Sequence, residues 1–239
     1  MFPLQDLNPT RRFPILTYVL IGLNVLVFIW EMTLSPDALQ DVFMDLSVVP
    51  AYLTSAPFSL EALLDVVRSM FFHGGIAHIG GNMLYLYLFG DNLEDRLGRP
   101  LFLLLYFASG FAAALAQVMI DPTSTVPLVG ASGAIAGVLG GYLLLFPTVR
   151  VRGIIPIGRI SRLAEWPAWA VLALWFGLQL FNGVSTLGMD MSGGVAFFAH
   201  VGGFVMGMVF TGLFMWVIPQ PSTPQRQDML YRRASRYRY

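Results

Sequence analysis

Four residues of the sequence could together support acyl-transfer chemistry. Ser132 supplies a hydroxyl and His200 an imidazole, and a serine becomes a nucleophile when a neighbouring histidine takes its proton. His78 and Asn82 lie one helical turn apart and could donate hydrogen bonds to the oxyanion that forms on an attacked carbonyl. Because these residues are distant in the sequence, the chemistry depends on structural elements that bring them together.

The composition shows what kind of elements these are. Hydrophobic residues make up 56% of the 239 residues and charged residues 12%, and the mean hydropathy is +0.67. In a soluble domain about a quarter of the residues are charged, so the composition predicts an integral membrane protein. The absence of cysteine excludes thiol catalysis and disulfides. The formal net charge of zero argues against nucleic acid as a partner.

Six apolar segments have the length, or nearly the length, needed to cross a hydrocarbon core of roughly 30 Å at about 1.5 Å per helical residue. The predicted helices cover residues 14–32, 78–96, 100–119, 132–146, 167–184 and 194–217. We therefore predict an all-α membrane protein, with a six-helix domain over residues 14–218. A long outer loop, 33–77, includes one amphipathic stretch that predicts a short helix at the outer leaflet.

The arginines predict how the bundle is oriented. All basic residues are arginine, and cytoplasmic segments of membrane proteins are enriched in basic residues. With six helices and a cytoplasmic N-terminus, every arginine except Arg68 lies inside. Segment 1–13 and the basic tail 219–239 are thus predicted to be cytoplasmic, and the tail to be disordered and drawn to anionic lipid. Since no transit peptide is evident, we expect a bacterial cytoplasmic membrane.

This orientation places the chemical groups in one layer. The second, fourth and sixth helices run inward, and each has its polar groups near its outer end: His78 with Asn82, Ser132, and His200. Singly, a serine at a helix start is usually an N-cap and a buried histidine or asparagine often joins helices. Ionisable groups within a membrane are costly, however, and their convergence indicates a site that opens to the outer side.

Small residues would allow the fourth and sixth helices to approach closely. Glycines recur at one-turn spacing on both helices, and such faces let backbones come together. The fourth helix, about 22 Å long at the usual rise, is shorter than the hydrocarbon core. Ser132 should therefore lie below the outer surface, within reach of His200. The free N–H groups at the helix start, including the N–H of Ser132, should face a reacting carbonyl. The glycines are Gly133, Gly137, Gly203 and Gly207.

Four segments resemble motifs of the rhomboid intramembrane serine proteases, and the likeness extends from about residue 13 to 218. The segments are GASG at 130–133, AHVGGFVMG at 199–207, FFHGGIAHIGGN at 71–82 and FGDNLEDRLG at 89–98. The resemblance implies a six-helix rhomboid-like bundle that needs no cofactor or metal.

The resemblance also implies roles for single residues. Ser132 would be the nucleophile, His200 the general base, His78 and Asn82 the oxyanion donors, and His73 a structural residue. The substrates would be single-span membrane proteins, cut near the outer end of the span after a small residue. The sequence departs from the pattern twice. The outer loop has no Trp-Arg pair, and Ala136 stands where some members carry an aromatic residue that packs on the histidine.

Three alternatives compete with a serine dyad. His73, His78 and His200 could hold zinc, although no H-E-x-x-H motif is present and no carboxylate is evident as a base. A non-catalytic rhomboid-like protein that binds or handles membrane proteins is the second, but Ser132 and His200 are both retained. A transporter is the third, but inverted repeats and an acidic residue in mid-membrane are not evident.

Overall fold

The computed structural model describes residues 2–157, 160–187 and 195–217. Most of the described residues are helical, and helices occur near all six predicted segments. The predicted tail, 219–239, and the beginning of the sixth segment, at residue 194, lie outside the described residues. In chain order the helices are α1 (Ile15–Glu31), α2 (Pro36–Leu46), α3 (Pro50–Ser55), α4 (Leu60–Ser69), α5 (Ile76–Leu97), α6 (Arg99–Ile120), α7 (Ser132–Leu145), α8 (Ala168–Ser185) and α9 (Phe197–Val217).

Three of the described helices are long and apolar enough to cross a membrane by length and composition: α6, α8 and α9. Helices α1 and α7 are also apolar but shorter. Helix α5 has 22 residues, and its last two turns carry several charged side chains that lower its hydropathy. These are Asp91, Glu94, Asp95 and Arg96.

The prediction of an all-α protein is wrong in one respect, because the chain also forms a three-stranded antiparallel sheet. Strand β2 (Arg150–Ile157) lies between β1 (Phe2–Asp6) and β3 (Ile160–Pro167). Phe2 is paired with Ile154 and Asp6 with Val151 across β1 and β2. The sequence analysis predicts no strand in segment 1–13 or in the connection after α7. Their apolar residues alternate or run too briefly to register as membrane helices.

The outer loop, 33–77, is more structured than predicted. It contains three helices, α2, α3 and α4, of which only α4 corresponds to the predicted amphipathic helix. Ser35 and Ser59 cap α2 and α4, each accepting a hydrogen bond from the backbone three residues on, as N-cap serines do. Apolar side chains of α3 and α4 form a small cluster with α6 and with a valine that precedes α3. Its buried members are Val48, Leu53, Ala62, Val66, Ala114 and Val118.

The motif at residues 89–98 joins the beginning of α1 to the end of α5. The Glu94 carboxylate accepts hydrogen bonds from the backbone N–H of Leu16 at 3.0 Å and of Thr17 at 2.8 Å. It also accepts one from the Thr17 hydroxyl at 2.9 Å. Pro14 at the N-cap provides no side-chain cap, so Glu94 satisfies two of the free N–H groups of α1, and its negative charge lies at the positive end of the helix dipole.

Different contacts between elements lie at the two ends of the bundle. The sheet, the Glu94 contacts and a hydrogen bond from the Arg11 backbone to Asp95 at 3.1 Å lie at one end. The opposite end contains α2 to α4 and residues 121–131, which are joined by the Val48–Leu128 bridge and by a 2.8 Å hydrogen bond from Gly130 N–H to the Ser69 carbonyl. Helix α7 begins at this second end and continues through the centre, where residues 133–142 are all buried.

Candidate active site

Ser132 is the first residue of α7 and does not act as its cap. The N-cap residue is Ala131, and no side chain caps this helix by a hydrogen bond. The ordinary explanation for a serine at a helix start therefore does not apply here. Ser132 is half-buried at the positive end of an apolar helix whose first N–H groups have no side-chain cap.

Helices α7 and α9 cross with their backbones in contact. A Cβ atom on Gly203 would overlap the carbonyl oxygen of Gly133, and one on Gly207 would overlap that of Gly137. Backbone atoms cannot move aside as a side-chain tip can, so the crossing requires glycine at these positions. The structure thus brings together the four glycines that the sequence pattern had singled out.

The same crossing brings Ser132 and His200 to one level. The Ala199 carbonyl oxygen lies 3.8 Å from the position that a Cβ of Gly133 would occupy. Because Ala199 precedes His200 and Gly133 follows Ser132, the two candidate catalytic residues lie at the same contact between α7 and α9. The ring of His200 has a hydrogen bond to α8 but none to Ser132. Catalytic hydrogen bonds often tighten only when substrate binds.

His73 orients Asn82 through a short chain of hydrogen bonds. The Nδ1 atom of His73 lies 3.2 Å from the Phe71 carbonyl oxygen, and its Nε2 atom lies 3.0 Å from Nδ2 of Asn82. A carbonyl oxygen only accepts, so Nδ1 carries the proton and Nε2 accepts from the Asn82 amide. Asn82 is buried, and its NH₂ group is thereby directed towards the His73 ring. The second hydrogen of this NH₂ group is available as a donor.

His78 lies against the loop that leads into Ser132. The Gly74 N–H donates to Nδ1 of His78 at 3.4 Å, so the proton of the neutral ring is on Nε2. A Cβ on Gly130 would come within 2.7 Å of this Nε2 atom and 3.6 Å of the Asn82 amide nitrogen. Gly130 also has a φ of +127°, which side-chain-bearing residues rarely adopt. His78 and Asn82 therefore present N–H donors two residues before Ser132.

Helix α8 contributes two residues that the sequence analysis did not single out. The Oε1 atom of Gln179 lies 2.8 Å from Nδ1 of His200. The Trp175 ring packs against the His200 ring with a centroid separation of 5.8 Å and an interplanar angle of 36°. Trp175 thus provides the aromatic contact that Ala136, buried within α7, does not provide. The sequence signal that could have identified these two residues is an amide that follows a tryptophan by one turn in an apolar helix.

The three histidines do not form a metal-binding cluster. Among the described residues, no group of three or more histidine, aspartate or glutamate side chains has a suitable arrangement. The Nδ1 atom of each histidine is instead hydrogen-bonded within the protein, to Phe71, Gly74 and Gln179, and Nε2 of His73 also contacts Asn82. His78 and His200 lie near the start of α7, His78 against Gly130 and His200 held by α8.

The fold and site define a helical membrane protein with a serine and a histidine at a glycine crossing, and comparison with known proteins gives its family. The Rhomboid domain model matches residues 61–217. The chain belongs to the rhomboid family.

Several curated proteins are similar to this chain. Rhomboid protein 1, mitochondrial, of Saccharomyces cerevisiae is 30% identical over 222 residues, which are 90% of this chain and 56% of the yeast protein. Rhomboid-related protein 2 of Mus musculus is 32% identical over 82% of this chain and 62% of its own length. Rhomboid protease AarA of Providencia stuartii is 26% identical over 84% of this chain and 73% of its own length. The chain thus spans little more than half of the yeast and mouse relatives.

Proposed function

We propose that the protein is an intramembrane serine endopeptidase with a Ser132–His200 dyad. The observation that carries the proposal is the glycine crossing of α7 and α9, which brings the two residues to one level at the end of the bundle where His78 and Asn82 also lie. The protease names of bacterial relatives, such as AarA, support the same activity.

The proposed reaction proceeds in two halves. The Ser132 hydroxyl oxygen attacks the carbonyl carbon of a peptide bond, and its proton passes to Nε2 of His200. The negative charge on the carbonyl oxygen is stabilised by N–H groups of His78, Asn82 and the Ser132 backbone. The intermediate then collapses, the C–N bond breaks, and His200 gives the proton to the leaving amine. Water, activated by the same histidine, hydrolyses the Ser132 ester and restores the hydroxyl.

The proposed topology is six spans with both termini on one side. Strands β1 and β2 are neighbours, although the helices α1 to α7 intervene between them in the chain. An even number of crossings between the two strands follows if they share one side of the membrane, and the four proposed spans α1, α5, α6 and α7 satisfy that condition. The arginine distribution favours the cytoplasm for this side. We propose the bacterial cytoplasmic membrane as the location, with lipid surrounding the bundle.

The proposed substrates are single-span membrane proteins, cut near the outer end of the span. The carbonyl of a helical peptide bond is hydrogen-bonded and shielded, so a substrate must unwind locally before attack. Glycine, proline or other weak helix formers near the bond should therefore promote cleavage. The tight crossing around Ser132 should also favour a small residue just before the bond.

Reconstitution tests this proposal. The purified chain is incubated in liposomes with a single-span substrate, and the cut is mapped by mass spectrometry. We expect one cut near the outer end of the span, and none with Ser132→Ala or His200→Ala, both of which should still fold and insert. A folded parent protein that binds the substrate without cutting it would instead identify a non-catalytic rhomboid. Movement of a solute across the liposome membrane, without cleavage, would identify a transporter.

A further inference from the structure

We infer that Gln179 is a positioning residue that sets the tautomer of His200, an inference that rests on the proposed function. The Oε1 atom of Gln179 lies 2.8 Å from Nδ1 of the imidazole. A carbonyl oxygen has lone pairs and no proton, so it can only accept from the ring. The contact therefore requires the proton of neutral His200 to be on Nδ1.

This tautomer is the one that a base for Ser132 needs. With the proton on Nδ1, the lone pair of Nε2 is free to accept the serine proton. With the proton on Nε2, the only lone pair of the ring would be on Nδ1, where Gln179 lies, and no ring nitrogen would be free to accept the serine proton. The Gln179 carbonyl also stabilises the imidazolium that forms when the proton arrives, because Nδ1–H remains its donor throughout. Gln179 thus assists the proton transfer without touching the substrate.

Helix α8 contacts the His200 ring at its edge through Gln179 and at its face through Trp175. Gln179 and Trp175 are one turn apart on α8 and so lie on the same side of the helix. The Trp175 ring packs on the imidazole at 5.8 Å, which limits rotation of the ring away from the amide. The position of α8 is held in turn by the stacking of Phe176 on Phe204 of α9, with centroids 4.6 Å apart.

A neutral amide suits this position better than a carboxylate would. A buried charge in a membrane costs several kcal/mol unless it is paired, whereas an amide orients the imidazole without adding a charge. No carboxylate is hydrogen-bonded to His200 in the described part of the chain, and its ring partner is Gln179. The geometry therefore assigns to an amide the orienting role that a carboxylate has in a Ser-His-Asp triad.

The first test measures the tautomer itself and needs no activity. The chain has only three histidines, so ¹⁵N-labelled imidazoles can be resolved by NMR in detergent, and His200→Ala assigns the signal of His200. We expect the proton on Nδ1 in the parent and a mixed population in Gln179→Leu. Gln179→Glu, which keeps an acceptor oxygen, should restore the Nδ1 proton. A parent ring with its proton on Nε2 would overturn the inference.

A matched control is available on α6. Gln117 Oε1 accepts the backbone N–H of Ala199 at 3.3 Å, so Gln117→Leu also removes a glutamine contact to α9, but one that does not reach the imidazole. We expect this variant to leave the His200 tautomer unchanged. A tautomer shift of the same size in Gln117→Leu would mean that any loosening of α9 disturbs the ring, and would overturn the specific role of Gln179.

The second test measures catalysis. Gln179→Leu should lower kcat by about 10- to 100-fold, the size of effect that follows loss of a residue orienting a functional histidine at metal sites, with little change in KM. Gln179→Glu should recover most of the loss. Parental kcat in a folded Gln179→Leu protein would overturn the inference. If the parent neither cleaves substrate nor reacts with a serine probe, the proposed protease function fails, while the NMR tautomer still decides whether Gln179 orients His200.

Discussion

The backbone carbonyl of Gly133 occupies the space that a side chain on Gly203 would need. This contact, between the residue after Ser132 and a residue one turn beyond His200, sets the distance between the two helices that carry the proposed dyad. Packing at the crossing and chemistry at the site are therefore linked, and a change in one should be measurable in the other.

Gly203→Leu should destabilise the protein and abolish activity, because α7 and α9 would be forced apart. Overpacking usually costs about 1–3 kcal/mol, and a rigid carbonyl opposite the new side chain places this variant at the upper end. Thermal unfolding in detergent and substrate cleavage measure the two effects. Gly212→Leu is the control, since nothing lies within 4 Å of a Cβ at that position of α9. Equal heat stability and activity in both variants would mean that the crossing does not hold the site together.

Asn82→Ala should leave the fold intact and lower kcat by about 100-fold, since removal of one oxyanion donor has effects of that size in acyl-transfer enzymes. KM should change little because the donor acts on the transition state. Asn24→Ala is the matched control. It removes a buried amide that donates to the Leu20 carbonyl at 2.8 Å within α1, and we expect it to keep kcat. Parental turnover in Asn82→Ala would show that Asn82 only joins helices.

Gly130→Ala should reduce both stability and activity. The φ of +127° disfavours any side chain, and the new methyl group would also press on the His78 ring. We expect a lower unfolding temperature and slower cleavage. Gly80→Ala provides the comparison, because a Cβ there meets nothing within 4 Å and alanine is the better helix former. A fully active Gly130→Ala protein would argue against a role of the His78 contact in the site.

The sequence was informative about the helices that carry the site, and less so about their surroundings. Apolar length located the helices, and one-turn glycine spacing indicated the close faces of α7 and α9. The sheet was missed because β1 and β2 pair across most of the chain, and pairing of that kind leaves no local periodicity. Gln179 was missed because its partner depends on how α8 is rotated against α9. That rotation is a product of packing, in which Phe176 and Phe204 take part.

Covalent labelling tests the central claim, that Ser132 is a nucleophile activated by His200, most directly. The parent protein in detergent is treated with a fluorophosphonate, and the modified residue is identified by mass spectrometry. We predict one adduct, on Ser132, that is absent from His200→Ala and unchanged in Ser109→Ala, which removes the hydroxyl of a buried serine. Equal labelling of His200→Ala, an adduct on a different serine, or loss of parental cleavage on adding a chelator would contradict the account, and the last would favour the three-histidine metal alternative.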